Sequence, residues 1–322
     1  MGGAVLILSQ DLDPHADRMV LELARRGARC VRWHPDSLNL DGGFSVTFGG
    51  EGSRAVVDVG GERVSLEDIS SVWNRRPAPF VFPPAFGADE RLFAEREIGV
   101  AFNGLLRLRP WFWVNHPDKV RFASLKLLQL DVARKIGLET PSTLVSNEPE
   151  SIAEFVAKCS GQVVYKTLAS PFLGQSAASA FTSVLTAEHL RQLDKIRFTG
   201  GIFQEYVPKH FEIRVTIIGQ RLFSTEIHSQ EDARARVDFR AVDAAHLRHQ
   251  PHVLPAGIEA MCRGLLDAFG LVYGAIDLIV TPDGRYVFLE NNPSGQFGWI
   301  EELTDMPLTA SLADMLIACQ PV

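Results

Sequence analysis

The sequence predicts a mixed α/β chain, of the α+β kind, in which antiparallel sheets follow a βαβ opening. Three observations predict it. The chain opens on a continuous apolar run, AVLIL at 4–8, followed by helical spacing and a second short apolar run. Residues 41–66 alternate apolar and polar between glycine pairs, the pattern of short antiparallel strands. From 202 onward, IFQEYV, EIRVTIIG, GQRLFSTEIHS and AIDLIVTPDGRYVFLENN read as a second antiparallel sheet.

In order along the chain, Met19, Val20, Leu23 and Ala24 mark a helix over 14–26, stopped by Gly27, and ARCVRW resumes as a strand. FSVTF, RAVVDV and ERVSL are the three strands of 41–66. The glycines between them are hairpin turns rather than a phosphate cradle, since no helix follows. ISSVWNRR is a lone strand before PAPFVFPP. Leu92, Phe93, Ile98, Phe102 and Leu105 mark a helix over 90–108. Leu125, Leu128, Val132 and Ile136 lie on one face of a helix over 119–136. A short strand follows Pro141, then a helix at 151–159 and the strand QVVYKTL at 162–168. The loop 169–179, ASPFLGQSAAS, is built of small residues and is expected to be mobile. Helices at 255–269 and 307–319 flank the last hairpin.

At 322 residues the chain is long enough for two or three sub-domains. With 46% hydrophobic and 22% charged residues it has ordinary globular composition. A net charge of −7 argues against a general nucleic-acid binder. No run approaches the roughly 20 apolar residues of a membrane helix. The start reads as a first strand, not a signal peptide. Cys30, Cys159, Cys262 and Cys319 are widely spaced, which suggests neither a zinc site nor a disulfide framework. A cytoplasmic protein, with no nucleic-acid or membrane partner, is expected.

The stretch FLENNPSGQFGWIEELT at 288–304 carries the chemistry. An apolar strand has no structural use for Glu290, Asn291 and Asn292 at its end, because a buried unpaired carboxylate is costly. If Pro282-Asp283 is a two-residue turn, Asp277 faces Phe288 and sits diagonally across from Glu290. Asp277, Phe288, Glu290 and Asn292 then share one face. Two carboxylates and an amide oxygen are hard ligands suited to Mg²⁺. A one-residue slip would move Asp277 to the other face, and an exposed polar strand end is the plainer alternative. Lys126, Lys166 and Arg214 each lie in an apolar segment. Singly each reads as a snorkelling side chain. Together with the oxygen ligands they point to a nucleoside triphosphate with magnesium.

The order Lys126, Lys166, FQEYV, Glu212-x-Arg214, Asp277 and Glu290-x-Asn292 resembles an ATP-grasp ligase. With WNRRP near 73, Asn115-His116-Pro117, TPSTLVSN, IHSQ…DFR and ENNPSGQFGWIEELT, the chain is similar over nearly its whole length to the microviridin-type graspetide synthetases. The resemblance implies an ATP-grasp fold with a pre-ATP-grasp domain at 1–117, a central subdomain at 118–203 and a C-terminal subdomain at 204–322. It implies ATP and Mg²⁺ as cofactors. Lys126 and Lys166 would hold phosphates, and the hinge backbone at Gln204, Glu205, Tyr206 and Val207 would read adenine. Glu212 would bond the ribose, and Asp277, Glu290 and Asn292 would bind metal. Arg214 would neutralise the transferring phosphoryl group. Arg240 would act beside it, in an Asp-Phe-Arg where many relatives have Asp-Trp-Arg.

The implied activity is macrocyclisation of a ribosomally made precursor peptide, with leader and Asp/Glu-rich core, through ester or amide rings. The leader would dock on 188–198, EHLRQLDKIRF, although that segment equally reads as a helix packing its leucines on the sheet. Homodimerisation stays open. The rival readings are an ATP-grasp ligase acting on a small molecule or a protein terminus, and a non-catalytic nucleotide- or peptide-binding module.

Overall fold

In the computed structural model, residues 3–38, 40, 42–50, 52–169 and 182–322 are described. Strand β1 (Ala4–Leu8) is buried at every position because both its faces are covered, Val5 and Ile7 lying in one core and Ala4, Leu6 and Leu8 in another. It lies between β2 (Cys30–Trp33) and β6 (Ile69–Asn74), with β7 (Phe112–Val114) beyond, all parallel. Such a strand reads as an unbroken apolar run. Helix α1 (Pro14–Arg25) returns the chain from β1 to β2. Asp13 caps it by accepting from His15 and Ala16 N–H, with Pro14 in the first turn. The glycine-punctuated region forms the antiparallel sheet β3 (Phe44–Gly49), β4 (Gly52–Val59) and β5 (Glu62–Ser65). Helix α2 (Ala88–Leu105) leads into β7, a strand the sequence reading did not anticipate.

The single helix expected over 119–136 is two helices, α3 (Pro117–Ala123) and α4 (Lys126–Lys135). Ser124 Oγ bonds back to Val120 O at 2.7 Å, and Leu125 takes an extended conformation, so the chain restarts with Lys126 in a first turn. Next come β8 (Thr143–Ser146), α5 (Pro149–Lys158), β9 (Val163–Lys166) and β10 (Ser183–Val184). Of the loop expected at 169–179, all but Ala169 lies outside the described residues. Helix α6 (Ala187–Arg191) then gives way to a 3₁₀ segment (Leu193–Phe198), and β11 (Gly201–Glu205) enters the antiparallel sheet in the order β10-β9-β11-β8.

The largest sheet is antiparallel, in the order β14 (His249–Pro251), β13 (Arg221–Ile227), β12 (Phe211–Ile218), β15 (Tyr273–Val280), β16 (Tyr286–Asn292). Strand β12 is buried throughout, and its period of two assigns its faces. Phe211, Ile213, Val215 and Ile217 join Cys262, Leu265, Leu266 and Phe269 of α7 (Ala256–Phe269) in one core. Glu212, Arg214 and Thr216 point the other way. Farther along that face, Ile218 meets Ile300 of α8 (Gly298–Thr304), Leu312 of α9 (Leu308–Ala318) and Met19 of α1. Among the described residues no helix is long and apolar enough to cross a membrane.

The terminal hairpin differs from the expected register. Thr281 pairs with Arg285 through a 3.0 Å N–H···O bond, and the turn has three residues, closed by Gly284 at φ +84°. Glycine takes that left-handed conformation without a Cβ penalty. Leu278 therefore faces Phe288, not Asp277. A bulge at Leu289 then realigns the strands so that Asp277 faces Glu290 directly. Phe288 and Glu290 consequently lie on opposite faces, the first in the core and the second at the cleft.

Candidate active site

The β10-β9-β11-β8 sheet and the β12–β16 sheet face each other across a cleft of about 930 Å³. Its walls include Lys126, Lys166, Gln204, Glu205, Tyr206, Val207, Glu212, Arg240, Asp277 and Glu290, ten of the twelve residues singled out from the sequence. The other two stand behind it. Arg214 Nε donates to Asp277 Oδ1 at 2.7 Å, and its guanidinium lies 5.7 Å from the Trp299 ring centroid. Asn292 is exposed, and its Oδ1 accepts from Ser294 N–H at 3.0 Å, so its side chain shapes the turn after the strand.

One row of the sheet carries the charge. Arg214, Asp277 and Glu290 are register partners on β12, β15 and β16, and Lys126 Nζ sits 3.3 Å from Glu290 Oε2 and 3.1 Å from Thr167 O. Burial lifts the Asp277 carboxyl above its ordinary range, Arg214 opposes the rise, and Glu290 adds to it. Burial acts the same way on Glu290, but Lys126, Lys166 and Arg240 outweigh it and hold that carboxylate low. Burial, with Lys126 and Lys209 nearby, draws the Lys166 ammonium down to about 8. Two opposed carboxylates beside under-neutralised cations suit a ligand that brings both an anion and a divalent cation. Among the described residues no group of three His, Cys, Asp or Glu side chains is placed to hold a metal. The residues that could hold a metal are therefore a carboxylate pair, which suits Mg²⁺ because that ion keeps waters and phosphate oxygens as further ligands.

At the other end of the cleft, Glu212 accepts from Lys209 Nζ at 2.5 Å and from Ser229 Oγ, and burial raises its carboxyl. Sequence reasoning missed Lys209, although a lysine three residues before Glu212 was a visible signal. Asp238 grips Arg240 in a two-pronged pair at 2.8 and 2.7 Å and also accepts from Thr182 N–H. Burial pushes Asp238 up, but the arginine pair prevails and leaves it at about 2. In the hinge, Glu205 N–H donates to Ser142 O and Tyr206 N–H to Gln162 O, while Gln204 is buried with its Nε2 on Thr143 Oγ1. Trp299, also unforeseen, packs between Phe239 and His249.

No protein-family model matches the chain, and no curated protein matches it. Solved structures do. Macrocyclase MdnC from Microcystis aeruginosa, bound with precursor peptide MdnA, is 32% identical over 98% of this chain and 99% of its own, with a TM-score of 0.86. The ATP-grasp ligase of Chryseobacterium gregarium associated with ribosomal-peptide (RiPP) modification, in complex with ADP and a leader and core peptide, is 30% identical over 100% and 98%, at 0.91. Macrocyclase MdnB from Microcystis aeruginosa is 29% identical over 98% and 99%, at 0.83. With its α/β architecture and its cleft, the chain belongs to the graspetide-type ATP-grasp ligases and is an ATP-dependent ligase.

Proposed function

We propose that the protein closes rings in a ribosomally made peptide by joining Asp or Glu side chains to Ser or Thr hydroxyls or to Lys amines. A carboxylate oxygen of the peptide takes the γ-phosphoryl group of ATP, giving an acyl phosphate and ADP. The hydroxyl or amine then attacks the acyl carbon, the C–O bond to phosphate breaks, and phosphate leaves with the carboxylate's oxygen. The peptide loses one water per ring. The row Arg214–Asp277–Glu290, with Lys126 and Lys166 across the cleft, carries this reading.

Lys126 and Lys166 neutralise phosphate oxygens. The hinge reads adenine through Val207 and its carbonyls, since the Glu205 and Tyr206 amides are engaged within the fold. Glu212 accepts from ribose hydroxyls, and Lys209 opposes the rise that burial imposes on its carboxyl. Asp277 and Glu290 are the metal-binding pair, with Asn292 supporting the strand end. Bound Mg²⁺ supplies charge neutralisation and in-line alignment of the phosphates. Arg214, held by Asp277 and Trp299, opposes the charge that develops on transfer, and Arg240, whose charge already acts on Glu290 and Asp277, adds to it.

The peptide's leader is assigned to the groove beside α6, lined by Tyr165, Leu185, His189, Leu193, Lys195 and Phe203. Lys195 borders this groove, whereas Arg191 is tied to Glu188 outside it, so Lys195→Glu should weaken leader binding more than Arg191→Glu. The test of function is the intact mass of the acidic peptide encoded beside the gene, after incubation with ATP and Mg²⁺. Loss of whole waters supports ring closure, and an unchanged mass alongside a modified small amine or protein terminus would replace this reading.

A further inference from the structure

Helix α4 begins on a residue that its own dipole disfavours. Lys126 stands in the first turn, where the macrodipole repels a cation, yet its Nζ reaches Glu290 Oε2 at 3.3 Å and Thr167 O at 3.1 Å. Other bonds must hold the start of this helix against β16. One buried amide makes them.

Gln129, one turn farther along α4, is 3% exposed and commits its whole side-chain amide to backbone groups. Nε2 donates to Asn291 O at 2.7 Å and to Ala123 O at 2.5 Å, and Oε1 accepts from Asn291 N–H at 2.8 Å. The two bonds to Asn291 fall on the outer edge of the sheet, because β16 is its last strand. The amide thus does for Asn291 what a neighbouring strand would do. Neither polar atom of the Asn291 side chain has a hydrogen-bond partner among the described residues, so that amide does not share the task. On the other side of the Leu289 bulge, Phe288 N–H donates to Glu139 O at 2.7 Å. Gln129 and Glu139 therefore hold the strand edge on either side of Leu289 and Glu290, the two residues that bring a carboxylate to the cleft.

The bond to Ala123 acts on the lysine. Ala123 O lies in the last turn of α3, where the break at Leu125 leaves carbonyls without helical partners. By donating to it, Gln129 supports the break that starts α4 at Lys126. One side chain thereby fixes both ends of the Lys126–Glu290 contact.

We infer that Gln129 is a positioning residue, which sets Lys126 against Glu290 and so places the Lys126 ammonium for the nucleotide's phosphates. The inference rests on the reading in which Lys126 holds phosphate.

The test is a double-mutant cycle read by calorimetric ADP affinity, in EDTA so that no metal takes part. Lys126→Met should weaken ADP binding about thirtyfold, the scale of a charged contact to phosphate. Gln129→Met keeps the side-chain volume and loses all three bonds. It should weaken ADP about tenfold in the wild-type background and less than about twofold beside Lys126→Met. Gln129→Glu retains the acceptor for Asn291 N–H and carries the same cycle, with about a threefold loss, if the methionine variant does not fold. An amide that only stabilised the fold would weaken ADP by equal factors with and without Lys126. Equal factors, or wild-type affinity in Gln129→Met, would overturn the inference. Unchanged affinity in Lys126→Met alone would instead overturn the phosphate-holding role of Lys126, on which the inference rests.

Discussion

Asp277 and Glu290 oppose each other directly across β15 and β16, and they do so only because Leu289 bulges out of the ladder. Without that extra residue, the three-residue turn would set Asp277 against Leu289 and turn Glu290 toward the core. The bulge thus lets Phe288 fill the core while Glu290, two residues on, reaches the cleft. Glu290→Gln and Asp277→Asn should each lower turnover about a hundredfold or more while leaving the circular dichroism spectrum unchanged. Normal rates in either variant would remove the carboxylate pair from the catalytic site.

Arg214 meets charge that peaks in the transition state, so Arg214→Ala should reduce kcat by about two orders of magnitude and change the KM for ATP little. Arg214→Lys should recover only a small part, because an ammonium lacks the fork that bonds Asp277 and a phosphoryl oxygen together. A change confined to KM would make Arg214 a ground-state binding group.

Trp299 holds the Arg214 guanidinium by its ring face. Trp299→Leu should lower kcat about fivefold, the scale of a partly desolvated cation–π contact, while Trp299→Phe should keep most of the rate. Equal rates in the wild type and the leucine variant would show that Asp277 alone orients Arg214.

Lys166 gives a pH signature. Its value near 8 lies well below that of an ordinary lysine, because burial and neighbouring cations disfavour the charged form. An anionic phosphate favours that form, so ADP binding at pH 8 should draw a proton onto Lys166. Calorimetry in buffers of different ionisation enthalpy should report net proton uptake that disappears in Lys166→Met. Nucleotide affinity should fall as pH rises through 8. Uptake that persists in the variant would assign the proton to another group.

Asn115 ties the first sheet to the catalytic strands. Its Nδ2 donates to Tyr273 O and Pro293 O at 2.8 and 2.9 Å, and its Oδ1 accepts from Val272 and Tyr273 N–H. Asn115→Ala would leave these buried backbone groups unpaired and should cost about 2–4 kcal/mol in urea unfolding. A loss below about 1 kcal/mol would mean that water replaces the amide.

Much of this was legible in the sequence, for identifiable reasons. EIRVTIIG was legible as a strand, and Lys126, Lys166, Arg214 and Glu290 stood out because charge in an apolar segment needs a partner. The hairpin register was misread although Pro282-Asp283-Gly284 signalled a left-handed glycine closing a three-residue turn. The Leu289 bulge left no local signal, since it answers to packing of Phe288 and to a bridge between Val287 and Glu139. The short β7 and β14 strands were hidden for the same reason, being fixed by distant partners.

The most direct measurement follows one oxygen atom. A peptide labelled with oxygen-18 in its side-chain carboxylates is incubated with the enzyme, ATP and Mg²⁺, and the released phosphate is examined by mass spectrometry. Activation through an acyl phosphate transfers one labelled oxygen to phosphate for every ring closed. Rings that form while the phosphate stays unlabelled would contradict phosphoryl transfer to the peptide carboxylate.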